Sequence, residues 1–237
     1  MTKFLQIIAI SIFFFSCAQK TEQYCDDAFI RANNYTLNSD FVNATKEFER
    51  SIKENPQNAN SYYGLGFMYT TEGKYDKAIE YLSQSININK NFTLAYLGRA
   101  NSYYILGNLQ KAESDLLKVI ELKPEFTSAY VLLADIESQH SNYNKAINYI
   151  DKAISLEPDN SISYFSKGVW LGNNNEPEKG IQYLTKSIEM NPRNGLAYIY
   201  RGTLKLQSGD KNGACSDFNE AKSIGLKVDA YIQANCK

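Results

Sequence analysis

Small and large apolar residues recur along this chain at a constant interval of 34 residues, for example from Ala32 to Gly66. The clearest series contains only small residues: Ala32, Gly66, Ala100, Ala134, Gly168 and Gly202. A second small series begins at Ala44, a large apolar series begins at Phe48, and each keeps the interval through six units. Repetition at this period is typical of a solenoid, in which each unit buries its apolar face against the next.

Each unit predicts two helices joined by a turn. Five tyrosines keep the same interval: Tyr62, Tyr96, Tyr130, Tyr164 and Tyr198. Each lies four residues before a small residue, so the two side chains share one helix face. Gly73, Gly107 and Gly209 fall between the two helices, where a helix end favours a left-handed residue. In the fifth unit, Pro177 and Gly180 are expected to weaken the start of the second helix.

A helix–turn–helix unit of this length with these positions resembles the tetratricopeptide repeat, and segments 61–86 and 95–124 carry the resemblance most clearly. The resemblance implies an all-α fold, a right-handed α-α superhelix (solenoid) of six helical hairpins of about 34 residues each. The predicted repeats together span 25–228 and have these bounds: 25–58, 59–92, 93–126, 127–160, 161–194 and 195–228.

The C-terminal segment 228–237 is expected to form a capping helix, because the last repeat of a solenoid needs its apolar face covered. Ala230, Tyr231 and Ala234 lie on one side of this helix and are expected to form the covering side.

Cys215 and Cys236 lie at almost equal distances along the chain from Gly225, the expected turn between the last two helices. Antiparallel helices folding about this glycine bring the two cysteines side by side, and an exported protein favours a disulfide there. Closing the loop stabilises the fold by about 3 kcal/mol in the chain-entropy model. Two free buried thiols are the alternative. Cys25 is left over and is expected to be a buried thiol in the first helix.

The first residues have the features of a secretory signal. Lys3 precedes an apolar run over 4–15, which is shorter than the roughly 20 apolar residues of a membrane-spanning helix. The run matches the apolar region of a signal peptide, and residues 1–16 are therefore predicted to be one.

The apolar run ends at the sequence Phe-Phe-Ser-Cys, which resembles the lipobox of bacterial lipoproteins. The resemblance implies lipidation of Cys17 and a tether over 17–24. Ala18 is not the aspartate that retains such proteins in the inner membrane, so the resemblance implies the outer membrane, facing the periplasm or the cell surface. Conventional signal cleavage beside an incidental cysteine is the alternative.

Composition gives no indication of nucleic-acid binding or catalysis. The chain has 237 residues and a formal net charge of −1, so a nucleic-acid partner is not expected. His140 is the single histidine and the cysteines lack CxxC spacing, which disfavours a metal site or a Ser–His nucleophile. The pattern SxxK over 208–211 falls on a predicted turn and has no partner motifs. The sequence also contains no glycine-rich loop of the kind that binds phosphate. We therefore expect no enzyme activity, cofactor, metal or small-molecule substrate.

In tetratricopeptide repeat proteins, the first helix of each unit lines a concave groove that binds peptides or partner helices. The equivalent positions form an apolar stripe: Phe29, Tyr63, Leu97, Val131, Phe165 and Ile199. The predicted groove residues one turn further on, or at the end of the helix, are Phe67, Asn101, Asp135 and Tyr104. An apolar stripe suits an amphipathic helix or an extended apolar segment. Packing between repeats is the alternative role for some of these residues.

Apolar residues also stand where the chaperone-tail clamp of this family has a lysine, so an acidic C-terminal tail is not an expected ligand. The predicted function is that of a non-catalytic scaffold or adaptor that is anchored to a membrane by lipid and binds a protein partner. A dedicated assembly factor for an outer-membrane complex is the alternative, because the pilotins of pilus secretins are similar in architecture.

Overall fold

The computed structural model describes residues 27–236, and every regular element within them is an α-helix. The helices of this part of the chain are α1 (Ala28–Leu37), α2 (Phe41–Glu54), α3 (Ala59–Thr71), α4 (Tyr75–Ile88), α5 (Thr93–Ile105), α6 (Leu109–Leu122), α7 (Thr127–Gln139), α8 (Tyr143–Leu156), α9 (Ser161–Asn173), α10 (Pro177–Met190), α11 (Gly195–Gln207), α12 (Lys211–Ser223) and α13 (Asp229–Asn235). They form six consecutive hairpins followed by α13, which confirms the predicted fold class. The predicted signal peptide, Cys17, segment 17–24 and Cys25 lie outside the described residues.

Small residues lie where the two helices of a hairpin approach each other. A Cβ atom added to Gly66 would come within 2.5 Å of the Leu82 Cγ atom across the hairpin. In the fifth hairpin, a Cβ atom on Gly180 would lie 2.8 Å from the carbonyl oxygen of Gly168. These distances leave no room for a larger side chain, so the close packing of the helices requires the small residues.

The turns of the six hairpins share one backbone conformation. Gly73, Gly107 and Gly209 have φ angles of 74°, 75° and 84°, so the expected left-handed glycines are confirmed. The equivalent residues of the other three turns also have positive φ angles: Ser39 at 60°, Ser141 at 60° and Asn175 at 63°. These three turns hold a residue with a Cβ atom in a conformation that favours glycine.

The expectation that Pro177 and Gly180 weaken the start of α10 is wrong. Pro177 is the first residue of the helix, where its fixed φ suits the helix and its missing N–H group costs no intrahelical hydrogen bond. Gly180 is buried at the close contact with α9 described above, so its lack of a side chain is used for packing.

The chain divides into two compact units, the first ending at Leu122 and the second beginning at Lys123. In the first unit, hairpins one and two share a buried cluster of Ala32, Ala44, Phe48, Leu65 and Met68. A further cluster of this unit consists of Ala78, Leu82, Ile86 and Ala95. In the second unit, a cluster joins hairpins five and six through Leu184, Ile188, Ala197 and Leu204. Each cluster joins a hairpin to the next one in its unit, as a solenoid requires.

Of the three residues expected on the covering side of α13, Tyr231 packs against the second unit, at Phe218. Ala230 and Ala234 are exposed, so the expectation that they form the covering side is wrong. Val228, which precedes the helix, is fully buried, and the Tyr231 ring lies 5.4 Å from the Phe218 ring. Cys215 and Cys236, the pair expected from the sequence, form a disulfide that fastens this segment to α12.

Candidate protein-binding surface

The six residues of the predicted apolar stripe all lie on the first helices of their hairpins, and all are half-buried: Phe29, Tyr63, Leu97, Val131, Phe165 and Ile199. Half-burial indicates that each ring or branched side chain divides its surface between the core and solvent.

In the first unit, two stripe residues are largely packing residues. The Phe29 ring lies 6.2 Å from the Phe48 ring and packs on the cluster around Ala32. The Tyr63 ring lies 5.1 Å from the Phe92 ring, and burial raises the pKa of the Tyr63 phenol. The alternative role, packing between repeats, therefore accounts for much of the surface of these two side chains.

Part of the accessible apolar surface of the first unit lies beside the stripe. Phe67 on α3 is 42% exposed, and Ile105 at the end of α5 is 48% exposed. Asn101 is exposed and Tyr104 is half-buried, so both predicted groove residues keep contact with solvent. Helices α3 and α5 contact each other, which places these side chains on neighbouring helices.

The second unit carries a patch of exposed or half-buried apolar side chains on α9 and α11, which we call the α9/α11 patch and define as Ile162, Phe165, Leu196 and Tyr200. The Phe165 and Tyr200 rings meet edge to face at 5.6 Å. Ile162 and Leu196 are each 52% exposed. Predicted residue Phe165 thus lies in this patch, whereas Ile199 is half-buried on α11.

Three residues of the α9/α11 patch, Ile162, Leu196 and Tyr200, were not predicted from the sequence, although a signal for the first two was present. Leu94, Ile162 and Leu196 are each the second residue of a first helix, so they occupy equivalent positions in the repeat. The recurrence of a large apolar residue at this position of the repeat is the signal that predicts Ile162 and Leu196, and it does not apply to Tyr200.

The positive charges on the first helices form ion pairs with the second helices, and these pairs were not predicted from the sequence. The Arg99 guanidinium donates from Nε and Nη2 to the two Asp115 carboxylate oxygens, both at 2.8 Å, and from Nη1 to the Ser83 hydroxyl at 2.9 Å. Arg201 repeats this arrangement with Asp217 and Thr185. The arginine and its carboxylate have the same separation along the chain in both hairpins.

Three further charges on the first helices have ion-pair partners on second helices. Arg31 pairs with Glu47 at 2.8 Å, and Lys205 pairs with Asp217 at 3.0 Å. The Lys167 ammonium donates to the Asp151 carboxylate, and it donates to the Tyr183 hydroxyl at 2.8 Å.

The acidic residues of α7 differ from each other. Glu137 is buried, and it accepts hydrogen bonds from Asn142 at 2.8 Å and Lys145 at 3.3 Å. Asp135 is half-buried, and its carboxylate has no ion pair or hydrogen bond with any residue in 27–236. Burial raises the pKa of the Asp135 carboxyl because it disfavours the charged form.

No metal centre is found among the described residues. Residues 27–236 contain no group of three or more His, Cys, Asp or Glu side chains placed to hold a metal ion. His140 is exposed at the C-terminal cap of α7, and Trp170 is buried. Over the same residues, none of the helices combines the length and apolarity needed to cross a membrane.

Comparison with solved structures gives similar helical-repeat proteins. YrrB, described as a TPR protein with an unusual peptide-binding site, has a TM-score of 0.71 at 17% identity, over 80% of this chain and 98% of that chain. MamA from Desulfovibrio magneticus RS-1 has a TM-score of 0.67 at 19% identity, over 70% of this chain and 94% of that chain. At these identities the similarity is one of fold. A comparison with curated proteins gives no match.

Family models described as tetratricopeptide repeat match residues 59–92, 94–126, 127–160 and 162–194. These matches cover more than half of the chain, and each coincides with one hairpin of the structure to within one residue at the helix start. The fold is typical of protein-interaction scaffolds rather than of enzymes. The chain therefore belongs to the tetratricopeptide repeat family.

Proposed function

We propose that this protein is a non-catalytic adaptor whose first helices bind a helix or extended segment of a protein partner. The observation that carries this proposal is that the basic side chains of the first helices form ion pairs inside the protein. Arg31, Arg99, Lys167, Arg201 and Lys205 all reach carboxylates of second helices. The remaining surface of the first helices is mainly neutral and carries exposed apolar side chains, which suits an apolar segment.

The α9/α11 patch allows a test that spares the core. Replacing both Ile162 and Leu196 with arginine places charge on side chains that are already half in solvent. The matched control is Leu117→Arg, because Leu117 is 42% exposed but lies on a second helix. We expect circular dichroism spectra and melting temperatures close to wild type for both variants.

Affinity capture from detergent-solubilised cell envelopes, read by mass spectrometry, compares the three proteins. We expect a partner that binds wild type and the Leu117→Arg variant but does not bind the double variant that carries Ile162→Arg and Leu196→Arg. The same partners in all three captures would rule out the α9/α11 patch as the binding surface.

We also propose that the protein is a lipoprotein anchored to the outer membrane through Cys17. The support is the apolar run that ends at Ser16-Cys17, followed at once by polar sequence. Metabolic labelling with an alkyne fatty acid tests it, because label should appear on wild type and be absent from Cys17→Ala. Equal labelling of both proteins, or of neither, would contradict lipidation at this cysteine.

A dedicated assembly factor for an outer-membrane complex is the second candidate. It is supported by the combination of six hairpins with a sequence that resembles a lipobox. Deletion of the gene should then leave one outer-membrane complex unassembled while the abundance of its subunits is unchanged. A general scaffold would instead affect several complexes slightly.

A further inference from the structure

Seven charged side chains lie on the first helices of the six hairpins: Arg31, Arg99, Asp135, Glu137, Lys167, Arg201 and Lys205. Six of them pair with residues of second helices, as described above. Asp135 is the exception among the described residues. It therefore places a single uncompensated negative charge on a helix face whose other charges are neutralised.

The position of Asp135 in the repeat shows why its carboxylate has no internal partner. Residues at the same position in the first and last hairpins form hydrogen bonds within their own helix. The Asn33 amide donates to the carbonyl oxygen of Phe29 at 2.8 Å, and the Thr203 hydroxyl donates to the carbonyl oxygen of Ile199 at 2.9 Å. A carboxylate only accepts hydrogen bonds, so Asp135 has no equivalent bond to make. Its satisfaction requires a donor from another molecule or water.

The surroundings of Asp135 on α7 are apolar. Val131 and Leu132 precede it by four and three residues, so they lie on the same side of the helix, and both are half-buried. The neighbouring Ser138 hydroxyl does not reach the carboxylate, because it donates to the backbone oxygen of Asp135 at 2.8 Å. A half-buried carboxylate beside apolar side chains is destabilising when unpaired, and a cation that docks there removes this cost.

We propose that the partner segment carries a lysine or arginine side chain that pairs with Asp135, and that apolar side chains flank this cation on both sides. This inference rests on the proposed function, and it specifies the chemistry of the partner at one position. A divalent metal would find one carboxylate ligand here, since residues 27–236 hold no cluster of metal-binding side chains. A basic side chain with apolar neighbours instead matches both the charge of Asp135 and the character of Val131 and Leu132.

Synthetic peptides provide the probe. Each set of peptides has the same residues on both sides of the centre, drawn from leucine, isoleucine and phenylalanine. Within a set, the peptides differ only at the central position, which is lysine, arginine, norleucine or glutamate. On the full wild-type chain, the lysine and arginine peptides should bind about tenfold more tightly than the norleucine peptides.

The variants separate this pairing from general attraction between peptide and protein. Asp135→Asn keeps the size of the side chain, so it should leave norleucine binding unchanged and reduce the preference for a cation to nearly onefold. Asp135→Lys should favour the glutamate peptides. Asp159→Asn removes an exposed carboxylate from a loop of the same unit and should keep the tenfold preference.

Two results would overturn the inference while leaving the proposed function in place. One is equal binding of cationic and norleucine peptides by wild type, and the other is a cation preference that survives in Asp135→Asn. If no peptide of any set binds the folded wild-type protein, both the inference and the proposed binding of apolar segments fail.

Discussion

The ion pair between Arg99 and Asp115 provides a direct test of how the repeat tolerates charge. The structure contains a neutral version of the same site: Leu65 and Tyr81, at the equivalent positions of the preceding hairpin, pack in one apolar cluster. We therefore expect Arg99→Leu combined with Asp115→Tyr to fold with a free energy of unfolding within about 1 kcal/mol of wild type, since apolar replacements of a buried ion pair are often neutral.

The single variants should behave differently. The Asp115 side chain is 8% exposed and the Arg99 side chain is 19% exposed, so the pair is largely removed from solvent. Arg99→Leu leaves Asp115 buried without its bidentate partner, which costs about 3 kcal/mol or more. Asp115→Tyr leaves the more exposed arginine, so we expect a smaller loss of about 2 kcal/mol.

Urea unfolding followed by circular dichroism measures all four proteins of this double-mutant cycle. A coupling energy of about 3 kcal/mol or more is expected, because the two single losses are not added in the double variant. If the double variant loses the sum of the two single losses, the Leu–Tyr pair is not an equivalent of the Arg–Asp pair. Single losses below about 0.5 kcal/mol would show that the pair behaves as an exposed salt bridge.

Three further predictions concern stability. Ser141→Gly should raise the free energy of unfolding by about 0.5 kcal/mol, and Gly107→Ser should lower it by a similar amount. A serine in the left-handed conformation costs about 1–2 kcal/mol, whereas a glycine stabilises the unfolded state by about 0.4–1 kcal/mol through its greater conformational entropy. Thermal melts of both variants measure these changes. A reductant should lower the melting temperature of wild type, since the closed loop is worth about 3 kcal/mol, and should have no effect on Cys215→Ser. Because burial raises the pKa of Asp135 in the folded state, its contribution to stability is greatest below the unfolded pKa and is lost as the pH rises through the folded pKa. Asp135→Asn should therefore melt about 1–2 °C higher than wild type at pH 7, and this gap should close at about pH 4.

The fold was predictable because the same residue types recur at the same positions of every hairpin. Each hairpin supplies the same small residues at the helix contacts, and Gly73, Gly107 and Gly209 mark the turns between them. The error at Pro177 arose because proline breaks a helix in its interior but suits its first residue, and the sequence did not give the helix start. The two alanines of α13 were wrongly expected to be covered, because the fully buried residue of this segment is Val228, which is the N-cap and precedes the helix.

The candidate surface was only partly predictable. The stripe was placed on the first helices, but the division of Phe29 or Tyr63 between core and solvent depends on the neighbouring rings of Phe48 and Phe92. The ion pairs were not predicted because each joins two different helices, and because the period of the sequence is carried by apolar and small residues. The unpaired state of Asp135 becomes visible only after the partners of every other charge are known.

The hydrogen bonds of the arginines limit how freely repeats of this chain can be exchanged. Arg99 binds a carboxylate of its own hairpin and also the Ser83 hydroxyl of the preceding one, and Arg201 does the same with Thr185. A duplicated or transplanted hairpin would keep the first bond and would lose the second unless its new neighbour offers a hydroxyl at that place. Gene duplication within this chain is therefore constrained in order as well as in length, and a designer who shuffles its repeats would have to move them as adjacent pairs.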